Sequence, residues 1–200
     1  ATSGTLTHWF RDQFARDLPF DSAFRTLTAE ATKSPPGANG VIFLPHLSGE
    51  RTPIHDSHAK GVIFGLNLTH TRGDLYRAAV EGMAFGTNHI LETYKVIGET
   101  PKRLLAVGGG IRNPVWLQAT SDVSGMPQTV RSVIQGASYG DAFLAALAVG
   151  AVKRGDIGDW NRTAKKVSPS KANRAVYERQ YRIFKELYFR NKDLMARLDE

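Results

Sequence analysis

The sequence predicts an α/β domain, and three observations carry that prediction. Short apolar runs, Val41-Ile42-Phe43-Leu44, Gly61 to Leu66, Leu104 to Val107 and Gln128 to Val133, read as strands. Stretches with apolar residues at three- and four-residue spacing alternate with them and read as helices. Glycine and proline punctuate the joins. Strands alternating with helices point to the α/β class.

In chain order, Thr5 to Asp17 reads as a helix, with Leu6, Trp9, Phe10 and Phe14 at helical spacing and Leu18-Pro19 ending it. Ser22 to Lys33 reads as a second helix carrying Phe24, Leu27 and Ala31 on one side. Ser34 to Gly40 is a loop, and the strand at Val41 stops at Pro45. In the Gly61 to Leu66 strand, the glycines mark places where two backbones approach closely. Thr71 and Asp74 form a capping box for a helix that runs to about Ile97, with Leu75, Ala79, Met83, Gly86 and Ile90 as its core stripe. Gly82 and Gly86 each cost that helix roughly 1 kcal/mol against Ala, and close packing against the sheet is a reason to keep them.

Leu104 to Val107 reads as a strand covered on both faces, followed by Gly108-Gly109-Gly110 and a helix start at Asn113-Pro114. That helix ends at Gly125. Ala137 to Val149 is a small-residue helix in which Ala142, Ala145, Ala146 and Ala148 allow tight packing. Ser168 and Pro169 open a long amphipathic helix over residues 169–198, with Tyr177, Tyr181, Phe184 and Tyr188 along one stripe. The stripe closes the domain's own core or meets a partner surface, as in a homodimer.

The chain has 200 residues and no cysteine, which excludes disulfides and thiolate metal sites. Nothing approaches a membrane span, Ala1 to Gly4 opens no signal peptide, and a cytoplasmic location is expected. The net charge of +7 is uneven: residues 151–200 hold 13 Lys and Arg against 7 Asp and Glu. A solvated helix face explains the excess without nucleic acid; the rival reading is a binding module whose basic last helix meets an acidic partner.

A glycine-rich turn between a strand and a helix lets a ligand approach the main chain and aims helix N–H groups at an anion. The local pattern serves equally as a structural turn. It is neither a Walker A loop nor the spaced dinucleotide fingerprint. In Ser48 to Asp56, the charges of Glu50, Arg51 and Asp56 predict an ion-pair knot holding the loop, with a substrate contact as the other reading. His55 and His58 have weak metal-ligand spacing, and no metal site is expected. Glu81, in an otherwise small and apolar stretch, either faces solvent or pairs with a buried donor; Asp141 poses the same question. No nucleophile triad or acid/base carboxylate pair is visible.

Together these stretches resemble the C-terminal half of an FGGY-family carbohydrate kinase of the xylulokinase-like kind. Gly61 to Leu66 followed by Asp74 to Glu81 fits that family's second signature, and Leu44 to Pro53 resembles the loop before it. Gly108-Gly109-Gly110 with Asn113, continuing through Gln118 and Ser121-Asp122, resembles its adenosine motif. The resemblance covers about residues 4–152. It implies an actin-like, ribonuclease-H-type domain, a mixed sheet flanked by helices, on the ATP side of an interdomain cleft. It places Gly108, Gly109, Gly110 and Asn113 against the nucleotide, and the Ser3-Gly4-Thr5 loop, through Gly4, near the ATP phosphates. The implied chemistry is transfer of the γ-phosphoryl of ATP, with Mg²⁺, to a sugar or polyol hydroxyl, a xylulose-like ketose being favoured. Family members are about twice as long, and their N-terminal domain binds the sugar and supplies the catalytic Asp. Residues 1–200 then form the nucleotide-binding domain, with no catalytic residue of its own, and are inactive alone.

Overall fold

The computed structural model describes residues 3–200, so Ala1 and Thr2, on which the reading of the N-terminus began, lie outside the described residues. Its elements are α1 (Ser3–Phe14), α2 (Ala23–Lys33), β1 (Ile42–Leu44), β2 (Val62–Phe64), α3 (Arg72–Val96), β3 (Leu104–Ala106), α4 (Pro114–Ser124), β4 (Gln128–Arg131), α5 (Ala137–Ala148), α6 (Ile157–Trp160), β5 (Thr163–Val167) and α7 (Arg174–Arg197). β1 and β2 pair antiparallel, Phe43 opposite Ile63. β3, β4 and β5 form a separate mixed sheet, parallel between β3 and β4 and antiparallel between β4 and β5.

The core has two parts, one on each side of β1. Phe43 points into the first, with Leu6 and Phe10 of α1, Leu27 and Ala31 of α2, Tyr76, Val80 and Met83 of α3, and Val115 of α4. Ile42 and Leu44 point into the second, with Phe85 of α3 and Tyr177, Tyr181, Phe184, Leu187 and Tyr188 of α7. Phe85 lies 5.4 Å from the Phe184 ring and 5.9 Å from the Tyr181 ring, centre to centre. The aromatic stripe of the last helix therefore closes this domain's own core.

α3 runs between the two clusters. Its capping box is present as predicted: Thr71 Oγ1 accepts from the Asp74 N–H and the Asp74 carboxylate accepts from the Thr71 N–H. Asp74 also accepts from Ser34 Oγ at 2.6 Å and Asn39 Nδ2 at 2.8 Å. Burial pushes its carboxyl up, but these hydrogen bonds outweigh burial and hold it down at about 2. The predicted single stripe does not describe this helix. Residues 73–74 and 76–85 are all buried, because α2, β1, α4 and α7 surround it. A side chain at Gly82 would collide with the Phe43 carbonyl, so that glycine is there for close packing. Gly86 has open space around it, so packing does not explain it. Gly65 (φ 86°) lies against the Gly40 carbonyl, the close approach expected of that strand.

Several expectations are corrected. β3 is an edge strand and Leu105 is 45% exposed, so Leu104 to Val107 is not covered on both faces; β4 is its one neighbour in the sheet. α5 does not pack tightly: Phe143 is its buried residue, Leu144 is 61% exposed, and Ala142, Ala145 and Asp141 face solvent. Ser168 and Pro169 do not open α7, which starts at Arg174 after a short 3-10 turn over Lys171–Asn173. On α2, Ala23 takes the buried place expected of Phe24, whose ring packs edge-on to His8 at 5.2 Å.

Glu81 resolves in favour of a buried donor. Its Oε1 accepts from Arg77 Nε (2.7 Å), Tyr177 Oη (2.7 Å) and the Gly37 N–H (3.1 Å). Replacing it by Ala strands the Arg77 guanidinium in the core. Glu81→Ala is expected to cost about 3–5 kcal/mol of unfolding free energy, read as a lower denaturant midpoint at unchanged slope. A loss below about 1 kcal/mol would mean that the pair does not hold the fold together.

Candidate functional site

The glycine turn leaves β3 at Val107 and enters α4 at Pro114. Gly108 takes φ 85° and ψ −179°, a conformation essentially restricted to glycine. Its N–H donates to Ile134 O at 2.9 Å, which ties the turn to the segment between β4 and α5. Gly109–Arg112 forms one 3-10 turn, closed by Ile111 N–H to Gly108 O (3.3 Å) and Asn113 N–H to Gly110 O (3.0 Å). As the first donors of that turn, the N–H groups of Gly109 and Gly110 have no partner within it.

The three glycines are glycine for different reasons. Gly108 needs its backbone conformation and has free space around it. Gly110 has an ordinary φ, but a methyl group there would stand 2.5 Å from Trp116 Cζ3. Gly109 has neither constraint: its φ is ordinary, nothing lies within 4 Å of where a Cβ would be, and it is exposed.

Asn113 caps α4 as predicted, its Oδ1 accepting from the N–H groups of Val115 (3.0 Å) and Trp116 (3.1 Å). It is buried, and its amide lies beside the Tyr76 hydroxyl, which burial pushes up and the amide pulls down. The Asn113 Oδ1 is therefore committed to the helix end, while its buried Nδ2 has no hydrogen-bond partner among the described residues. The motif's continuation is likewise spent inside the chain. Gln118 Nε2 donates to Ser168 O (2.9 Å) and Ser121 Oγ to Val167 O (2.9 Å). Asp122 accepts from Gln118 Nε2 (2.7 Å), the Ser170 N–H (2.6 Å) and Asn173 Nδ2 (2.7 Å). No sequence signal marked this role, because the partners lie some 50 positions away.

Gly4 sits in the first turn of α1, so Ser3-Gly4-Thr5 is helix and not the expected loop. It is exposed, with nothing within 4 Å of where a side chain would start. The helix that carries it packs through Leu6 and Phe10 into the cluster that also holds Val115, with Trp9 and Trp116 against its rim.

In the loop between β1 and β2, the predicted knot forms differently. Glu50 Oε2 lies 3.3 Å from His46 Nδ1 rather than on Arg51, and Asp56 accepts from Tyr188 Oη at 2.8 Å. Asp56 raises the Tyr188 hydroxyl less than burial does; together they take it to about 12. Glu50 and Asp56 bridge through paired backbone hydrogen bonds of 2.8 Å, and Arg51 is exposed. His58 Nδ1 sits 2.8 Å from the Asp199 carboxylate.

With this geometry in place, the comparisons decide the family. The model of the C-terminal domain of the FGGY family of carbohydrate kinases matches residues 1–149. The chain belongs to the FGGY family of carbohydrate kinases. It is similar to the xylulose kinase of Bacillus subtilis (strain 168), at 30% identity over 98% of this chain and 39% of that protein. Among solved structures, it is similar to the xylulose kinase from Rhodospirillum rubrum (33% identity, TM-score 0.84, 96% of this chain and 38% of that one). It is also similar to the Plasmodium falciparum glycerol kinase solved with ADP (25% identity, TM-score 0.76, 93% and 37%). These neighbours place the fold in the actin-like ATPase class. The FGGY chain spans about two fifths of the length of the curated relatives it matches.

Asp122 joins α4 to the start of α7. Asp122→Ala is expected to speed amide exchange over residues 168–173 and cost about 1–3 kcal/mol, since it leaves the Ser170 N–H without an acceptor. Exchange unchanged in that segment would remove Asp122 from its anchoring.

Proposed function

We propose that residues 1–200 are the nucleotide-holding C-terminal domain of an ATP-dependent sugar kinase, with a xylulose-type ketose as the favoured acceptor. Gly109 carries the reading. Neither its backbone angle nor any neighbour among the described residues requires glycine, and two N–H groups of its turn lack a partner within it. Close approach of a ligand is the remaining physical reason to omit a side chain there. The relative solved with ADP supports the choice of a nucleotide. The adenosine and α-phosphate then lie along Gly108–Gly110, over the α4 N-terminus that Asn113 caps. Gly4 faces the phosphate end from the first turn of α1.

ATP enters with Mg²⁺, which offsets phosphate charge. Gly108 to Asn113 contains no carboxylate, so this turn supplies N–H donors and not metal ligands. The acceptor's proton leaves to a base outside these residues, and the chain alone holds nucleotide without transferring phosphoryl. The rival reading, docking through the basic last helix, fits less well. α7 buries its aromatic face, and Arg174, Lys185 and Arg190 pair with Glu178, Glu92 and Glu186.

A glycine series tests the site. Calorimetric titration is expected to show ADP binding to the 200-residue chain and no ADP release from ATP plus xylulose. Gly109→Val is expected to weaken ADP at least about tenfold with an unchanged melting temperature. Gly108→Ala is expected to cost about 1–3 kcal/mol of stability through backbone strain. Unchanged ADP affinity in Gly109→Val would take the turn out of the site.

A further inference from the structure

Trp116 touches the nucleotide turn at two points, Gly110 and Asn113. Its backbone N–H donates to Asn113 Oδ1 at 3.1 Å, and its ring lies where a side chain on Gly110 would be, with Cζ3, Cε3 and Cη2 at 2.5, 2.9 and 3.1 Å from that point. The indole is half-buried and also packs against the cluster that holds Phe10, Tyr76, Met83 and Val115. It thus contacts both that cluster and Gly110. A large rigid ring is an effective spacer, because interiors are close-packed and shift in discrete steps. We propose that Trp116 is a positioning residue for nucleotide: its ring sets the height of the Gly110 peptide, and with it the aim of the Gly109 and Gly110 N–H groups. The role rests on the nucleotide reading above, in which the turn binds through its main chain. A site without ligand side chains depends on whatever holds its backbone in place.

A double-mutant cycle on the 200-residue chain tests this, with ADP affinity and thermal unfolding both measured. Trp116→Ala is expected to raise the ADP dissociation constant about tenfold, whereas Trp116→Phe, which keeps a ring, changes it less than about threefold. Gly110→Ala is expected to weaken ADP about tenfold in the original chain, but to add nothing in the Trp116→Ala background, where its methyl group has room. Trp116→Leu is a second background that removes the ring and retains apolar volume. Full affinity in Trp116→Ala or Trp116→Leu overturns the proposal, as do losses that simply multiply. If the original chain binds no ADP, the nucleotide reading falls by itself. The unfolding cycle then decides on Trp116: coupling with Gly110 upholds its hold on the turn, and additivity ends it.

Discussion

The structure depends on one buried carboxylate. Glu81 is 1% exposed, and burial pushes its carboxyl up, since a charge is poorly solvated there. What makes it tolerable is that three donors from three parts of the chain meet on one oxygen. Arg77 lies one helical turn earlier, Tyr177 comes from α7, and the Gly37 N–H comes from the loop after α2. Arg77 in turn donates to Ala31 O and Ser34 O, closing the C-terminal end of α2. Gln180 Nε2 takes the Gly37 carbonyl at 2.6 Å. At Gly37, where φ is 89°, a side chain would press on Val176 and Gln180. Removing any one element leaves a buried polar group unmatched, so α2, the loop, α3 and α7 are fixed as a set.

Once α3 is fixed, the rest follows by packing. Gly82 brings the helix backbone against Phe43, which seats β1 between the two clusters. Tyr76 and Met83 share the first cluster with Val115, which places the start of α4 and hence the end of the glycine turn. α4 grips the segment before α7 through Gln118, Ser121 and Asp122, and α7 returns to Glu81 through Tyr177. The chain of contacts closes on itself. The turn therefore stands on a frame built far from it in sequence.

Local patterns were legible where local physics decides. The Thr71–Asp74 capping box, the Asn113-Pro114 helix start and the Gly125 stop depend on residues a few positions apart, and all are present. What escaped depends on distant partners. β5 reads as a basic stretch, Thr163-Ala164-Lys165-Lys166-Val167, because as an edge strand it has no apolar alternation to reveal it. Residues 73–74 and 76–85 of α3 are all buried, which a single stripe does not describe. β3 and α5 show the opposite failure. Their apolar composition implies cover that the described residues do not provide, with Leu105 45% and Leu144 61% exposed. For Glu81, the two alternatives open in the sequence were settled by Tyr177, 96 positions away.

The glycine turn shows most clearly how identical letters conceal different physics. As a string, Gly108-Gly109-Gly110 is a uniform ligand ledge. In space one glycine serves a backbone angle, one makes room for an indole, and one serves nothing within the chain. Asn113, the side chain most readily imagined on a nucleotide, spends its oxygen on the α4 end, and Gln118 and Asp122 turn to the chain's own C-terminal segment. What the described residues leave unpaired at the turn is the N–H groups at its head, the bare surface of Gly109 and the buried Nδ2 of Asn113. In the proposed nucleotide role, such a surface would discriminate by shape and by charge at a helix start. Where that surface points is set by residues behind it: Ile134, whose carbonyl takes the Gly108 N–H, and Trp116, whose ring lies against Gly110.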